Sequence, residues 1–458
     1  MDNCKEFCPS YDLMDDVTTY DSVHTEYLQS MEEGLDVEAY KDLFETVRRL
    51  PRGRIKARLG DVLFDIVAHA EQRPDYPYRE PSDLEGIRAL RPAYKAFERQ
   101  REGRQDKIHG AWMGRICGCM LGASVETIRT NELIPFLKES GNYPMHRYVY
   151  TSDLTEEVTK KYKYQFWRRK FVDKIDGMPA DDDTNYTIMG QEIIEKFGKN
   201  FTPQDVLNTW MKTQPKDCYW TAERVAYVNY IHGYMPPQSA VYKNPHREWI
   251  GAQIRADYFG YINPGDPQMA AEMAWRDASV SHVKNGIYGE MFVAAMLAIA
   301  AVSDSVEDVI YGGLAQIPAT SRLYKAVTGL MEDYKNGMTQ AACFEKIHAT
   351  YDEYDNHYWC HTISNALVVI ASLLYGAGDY AKTICMSVET GYDTDCNAAT
   401  VGSIFGMLHG IDSIPEYWTA PMKDKLKTTL LGIPEVRISD RVKLTMEHIR
   451  QLAESEME

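Results

Sequence analysis

Four glycines recur at intervals of four in HGAWMGRICGCMLGASVE, at positions 110, 114, 118 and 122, and Glu126 completes the series. On a helix, residues four apart form one ridge. Each interior glycine costs about 1 kcal/mol relative to alanine, so the ridge needs an offsetting gain, which backbone-close packing against another helix would give. A second ridge runs through Ala398, Gly402, Gly406 and Gly410 in NAATVGSIFGMLHG. Either the two pack on each other or each packs on some unrelated helix. In the first case Glu126 comes within reach of Asp393 and Asp395, at the start of the second helix.

Most other segments read as helical: TNYTIMGQEIIEKFG from Thr184, PQMAAEMAWRDASVSH from Pro267 and GIYGEMFVAAMLAIAAVSD from Gly286. ISNALVVIASLLYG from Ile363 fits a buried strand or a helix, and its length and alanines favour helix. Alternating strand patterns bounded by hairpin signals are scarce, which predicts an all-α fold. Residues 1–105 read as a separate helical region of unknown role. There LDVEAYKDLFETVRRLP, from Leu35, has a spacing near 3.6, ends at Pro51 and is followed by a proline-rich stretch around 74–81. A different, glycine-rich texture opens at residue 106, and 436–458 read as a helical tail.

The formal charge of −17 disfavours nucleic acid or anionic membrane as a general partner. The N-terminus has no basic start or apolar run, and apolar stretches such as MFVAAMLAIAAV are too short to cross a bilayer. A cytoplasmic location is therefore expected, and nine scattered cysteines fit a reducing compartment. Cys4 with Cys8, or Cys117 with Cys119, lacks the companion ligands of a zinc site, so free thiols are favoured. Oligomeric state is not legible.

Two acidic strings carry the chemistry: ADDDTNYT at Asp181, Asp182 and Asp183, and GYDTDCNAA at Asp393 and Asp395. Aspartates at a helix start can simply cap free N–H groups. Three in succession, however, are hard to justify without a counter-cation. Magnesium and manganese seek carboxylate, hydroxyl and water oxygens, and the two strings offer that set. An EF-hand would need Gly and Glu where Ala398 and Ile404 stand. A dinucleotide fold fails because the glycines lie within a helix, and no adjacent His-Asp pair supports an HD-type phosphohydrolase.

Three motifs in order resemble the ADP-ribosylglycohydrolases, the group containing the dinitrogenase-reductase activating glycohydrolase and the ADP-ribosyl-acceptor hydrolases. GRICGCMLGASVE is similar to the family's glycine-rich first helix ending in glutamate, DDDTNYT to its Thr-Asp-Asp-Thr string, and GYDTDCNAATVGSIFG to its Gly-Gly-Asp-Thr-Asp-Thr-Asn-Ala-Ala string. In ASVSHVKNGIYGEMFVAA, Ser281 and His282 stand where the family commonly has Thr-His. The resemblance spans roughly residues 106–435. It implies an orthogonal multi-helix bundle with two divalent cations, Mg2+ or Mn2+, and an ADP-ribosylated or related ribosylated substrate cleaved at ribose C1. Asp182, Asp183, Asp393 and Asp395 match metal-binding aspartates, Asp181 replaces a threonine of the metal string, and Glu126 matches the glutamate near ions and sugar. Cys396 replaces another threonine, and a thiol is a poor magnesium ligand. Cys119 replaces a common aspartate.

Glu126 is thus the expected catalytic carboxylate, with an aspartate such as Asp183 as its partner in proton transfer. His282 is either a packed histidine or a substrate contact, and Tyr261 in GYINPGDP either stacks on a substrate ring or is an ordinary loop aromatic. The basic run TKKYKYQFWRRKF at 159–171 reads as a solvated helix face or a lid gripping diphosphate. Two other classes compete: a non-catalytic relative that binds a small nucleotide or nucleoside, and an all-α isoprenoid synthase. The latter's DDxxD string would require an acid at Asn185.

Overall fold

The computed structural model describes residues 22–100, 102–162 and 169–454. The fold is all-α, an orthogonal bundle of the expected type. Among the described residues the only strands are Lys425–Lys427 and Glu435–Arg437, paired antiparallel with Leu426 opposite Val436. The segment from Thr362 settles as a helix, Thr362–Gly376.

The centre of the bundle is the pair of glycine helices, Gln105–Ala123 and Thr394–His409. A Cβ added to Gly110 would strike the Gly406 carbonyl; Gly114 meets Gly402, Gly118 meets Ala398, and Gly122 meets Thr394. The numbers rise along one helix and fall along the other, so the helices are antiparallel and in backbone contact throughout. The absent side chains permit that approach, offsetting the glycine penalty. The end of the first helix therefore lies beside the start of the second, which is what brings Glu126 to Asp393 and Asp395.

Around this pair stand the acidic helix Asp182–Phe197, the apolar helix Lys284–Ala300 and the C-terminal helix Ile438–Glu454. The last docks on the first glycine helix, where Trp112 Nε1 donates to Thr445 Oγ1 at 3.1 Å. The N-terminal helices Val23–Glu32, Lys41–Arg49 and Arg54–Ala68 share a small core of their own, built on Val23, Phe44, Val47, Leu63 and Phe64. Buried ion pairs tie them to the bundle: Arg247 holds Glu26 at 2.9 Å and Glu33 at 2.6 Å, and Arg322 holds Glu80 at 2.9 Å.

Candidate active site

Three overlapping groups of ligand-type atoms, each within 4.8 Å of one another, meet where the two glycine helices join the acidic helix: Glu126 with Asp393 and Asp395; Asp183 with Asp395 and Cys396; and Cys119 with Asp181 and Asp183. Shared Asp183 and Asp395 make them one continuous cluster. Asp182 belongs to none of the three, although Asp181, Asp183, Glu126 and Asp393 all act on its charge.

Local structure fixes each carboxyl. Asp181 caps the acidic helix, its Oδ1 accepting from Asp183 N at 3.1 Å. Arg115, fully buried on the first glycine helix, donates from Nη2 to Asp183 Oδ1 at 3.2 Å and from Nη1 to Asp257 Oδ2 at 2.8 Å. Asp393 N donates to Asn365 Oδ1 at 3.3 Å, and the Cys360 thiol lies 3.6 Å from Asp393 Oδ2. Thr394 Oγ1 donates to the Gly122 carbonyl at 2.9 Å, locking the two helix ends together. Thr127, immediately after Glu126, has a φ of 66°. That left-handed conformation is unusual for a β-branched residue.

Burial and mutual repulsion load this cluster with unfavourable charge. Burial, then Asp393 and Asp181, push Glu126 up to about 8, against the opposing pull of Arg169 and Arg129. Burial first, and neighbouring carboxylates after it, also raise Asp395 well above the usual range, and burial raises Asp183 despite Arg115. Asp183 Oδ2 and Asp395 Oδ1 are buried without a hydrogen-bond donor. Buried carboxylate oxygens need a positive partner, and a divalent cation is the partner this donor set suits.

Two expected substrate contacts lie elsewhere. Tyr261 is not a loop aromatic: it ends the helix Asp257–Tyr261, is fully buried against Trp112, and bonds Ser403 Oγ at 2.7 Å. A ring so enclosed cannot stack on a ligand. His282 is also buried; its Nδ1 pairs with Ser281 Oγ at 2.8 Å, and its charged surroundings are Arg255, His246 and Glu248 rather than the cluster carboxyls. Burial holds it well below the ordinary histidine range, so it is neutral, and its Nε2 is buried without a hydrogen-bond partner.

Cys117 and Cys119 are free thiols that face different ways, Cys117 towards the Trp418 carbonyl at 3.2 Å and Cys119 into the acidic cluster. Cys4 and Cys8 lie outside the described residues. In the basic run, Lys160 and Lys161 end a short helix and pair with Glu156 and Glu139, while 163–168 lie outside the described residues.

Arg115, Cys360 and Asn365 were not expected from sequence. Arg115 left one signal, a lone charge in the stretch 110–123, which is otherwise glycine, cysteine and apolar residues; Cys360 and Asn365 left none.

A model of the ADP-ribosylglycohydrolase family matches residues 100–450. A solved structure described as an ADP-ribosylglycohydrolase-related protein complex is similar at 17% identity and a TM-score of 0.47, covering 77% of this chain and 99% of that one. No curated protein matches the chain. None of the described helices is long and apolar enough to cross a membrane.

Proposed function

This chain belongs to the ADP-ribosylglycohydrolase family of hydrolases, and from that premise we propose that it is a metal-dependent glycosidase cleaving at ribose C1 of an ADP-ribosylated or related ribosylated acceptor. The observation that carries this reading is the convergence of Glu126, Asp181, Asp183, Asp393 and Asp395 at one point. The donor set fits two divalent cations, Mg2+ or Mn2+, held by Asp181, Asp183, Asp393 and Asp395 with Asp182 beside them. When bound, such cations supply Lewis acidity and a grip on the ribose hydroxyls. Residues 106–435 carry the chemistry in this reading, with the described N-terminal helices and the helix Ile438–Glu454 packed around them.

Glycosidic cleavage passes through an oxocarbenium-like transition state, and the surrounding carboxylates steady its positive charge. Glu126, in its ionised form, takes the proton from water attacking C1. Asp183, oriented by Arg115, is its partner in proton transfer, so that the proton lost by water is matched by one gained by the acceptor atom as the C1–acceptor bond breaks. Cys360 and Asn365 hold Asp393 in place.

The test is a metal-dependent assay over ADP-ribosylated proteins, free nucleotides and nucleosides. Glu126→Gln is expected to lower kcat by roughly 100- to 10,000-fold, and Asp393→Asn to abolish metal dependence. Absence of cleavage of every ribosyl donor by the metal-loaded wild type overturns the reading.

A further inference from the structure

We infer that Arg129 and Trp359 form a subsite for a phosphate or diphosphate group beside the carboxylate cluster. Arg129 follows Glu126 by three residues, across the strained Thr127. Its guanidinium lies 4.3 Å from the Trp359 ring centroid, and its Nη2 donates to Asn356 Oδ1 at 3.1 Å. Asn356 and Trp359 belong to the short helix Asn356–Cys360, whose last residue touches Asp393. The stack is therefore mounted on the element that abuts the cluster.

What sets Arg129 apart is its lack of an anion. The arginines at 115, 247, 255 and 322 each have carboxylate partners within ion-pair distance. Arg129 instead binds a neutral amide, and among the described residues no carboxylate stands within ion-pair distance of it. Its Nη1 is buried without a hydrogen-bond partner, and so is the indole Nε1 of Trp359. Burial pushes the Arg129 pKa down, with Glu353 and Asp393 opposing it. A buried guanidinium nitrogen, Nη1, and a buried indole N–H that both lack acceptors are unfavourable as they stand.

An anionic group supplies both acceptors. The planar guanidinium matches phosphate oxygens in bidentate fashion, and stacking on the indole restricts it beforehand. Arg169, whose Nη2 contacts Thr127 Oγ1 at 3.2 Å, adds a second positive charge acting on Glu126. A guanidinium nitrogen and an indole N–H that both seek acceptors suit a group with several acceptor oxygens. The ligand identity rests on the hydrolase reading: the phosphates of a ribosyl substrate would sit here while its ribose meets the aspartates.

The experiment is calorimetric titration of the metal-loaded full chain with ADP-ribose and with inorganic pyrophosphate, comparing wild type, Arg129→Ala and Trp359→Phe. Arg129→Ala is expected to weaken ADP-ribose by roughly 10- to 100-fold, the range of a charge-assisted hydrogen-bonded contact. Trp359→Phe keeps the stack and removes the N–H, and should cost about 5-fold. Both variants should keep wild-type Mn2+ affinity and melting temperature, which a merely structural role would not allow. The subsite is overturned if both variants bind ADP-ribose within about twofold of wild type, if their Mn2+ affinity falls in parallel, or if wild type binds neither probe. Binding needs no turnover, so the two proposals fail separately. Tight, Arg129-dependent binding with no cleavage defeats the hydrolase reading alone. Cleavage of ADP-ribosyl substrates with an unchanged KM in Arg129→Ala defeats the subsite alone.

Discussion

Gly114 and Gly402 face each other with no room for a side chain: a Cβ on either would collide with the carbonyl oxygen of the other. Because the obstructing atoms are backbone, relief requires the two helices to part. Gly402→Ala is therefore expected to destabilise the fold by about 1–3 kcal/mol, the usual range for overpacking. Parting the helices also moves Glu126 away from Asp393, so metal affinity should fall as well. Gly329, inside the helix Arg322–Lys335, has nothing within 4 Å of an added Cβ. Gly329→Ala should instead stabilise by about 0.5–1 kcal/mol. Paired denaturant titrations, each with an Mn2+ titration, check both. Equal effects of the two substitutions would contradict the packing account.

Metal removal should give the protein an unusual pH dependence. Burial and neighbouring carboxylates raise Glu126 to about 8 from a usual 4.5, so the folded state binds more protons than the unfolded one between those values. Stability is then fully present below the unfolded pKa and is lost as pH rises through the folded one. The chelated protein is expected to melt lower at pH 8 than at pH 5. Metal binding requires ionised carboxylates and releases protons, so the loaded protein should lose this slope. Thermal melts across pH, with and without chelator, check it, and Glu126→Gln should reduce the metal-free slope, to which Asp183 and Asp395 also contribute. A metal-free protein that gains stability between pH 5 and 8 would contradict a raised Glu126 as the cause.

The fold and the cluster were legible in the sequence for different reasons. A glycine ridge is written in a fixed spacing, and a fixed spacing survives as geometry: Gly110 to Gly122 and Ala398 to Gly406 met as their period requires. The acidic strings were legible because like charges placed side by side at a helix start need an external explanation. What escaped has no period and no unusual composition. Cys360 reaches Asp393 only because the helices Asn356–Cys360 and Thr362–Gly376 pack across the second glycine helix. Arg129 is one arginine among many until the absence of a carboxylate beside it becomes visible. Tyr261 misled for a local reason: GYINPGDP has the composition of a loop, yet the helix before it runs on through Tyr261, and only the residues after it turn away.

Glu32 ties the N-terminal region to the wall of the cluster. Its Oε2 lies 3.3 Å from His357 Nε2, 3.5 Å from His361 Nε2 and 3.6 Å from Arg322 Nη1. Both histidines accept an N–H at Nδ1, His357 from Trp249 Nε1 at 3.4 Å and His361 from Ile363 N at 3.1 Å. Both Nε2 atoms therefore face Glu32, and His357 Nε2 is within hydrogen-bond distance of it. Burial would raise Glu32, but His357, His361 and Arg322 outweigh it and lower the group to about 2. Its stabilising effect is thus present above the unfolded pKa and lost as pH falls towards 2. Glu32→Gln should cost about 1–3 kcal/mol at neutral pH and loosen the helix Asn356–Cys360. Denaturant titration measures the cost, and hydrogen exchange at residues 356–360 reports the loosening. Unchanged exchange there would mean that the N-terminal region does not support the site.

Tyr261 provides the sharpest separation between core and binding roles. Its hydroxyl is shared by Ser403 Oγ at 2.7 Å and Asp257 Oδ1 at 3.3 Å, and Asp257 in turn pairs with Arg115, which holds Asp183. Removing the hydroxyl leaves a buried serine short of a partner and weakens the support of a buried carboxylate, while the ring keeps its packing on Trp112. Tyr261→Phe is expected to lower stability by about 1–2 kcal/mol with KM for a ribosyl substrate unchanged, because the ring has no exposed face for a ligand. A rise in KM without loss of stability would return Tyr261 to the binding site, and a stable variant with normal KM would show that the Ser403 contact carries little of the packing between these helices.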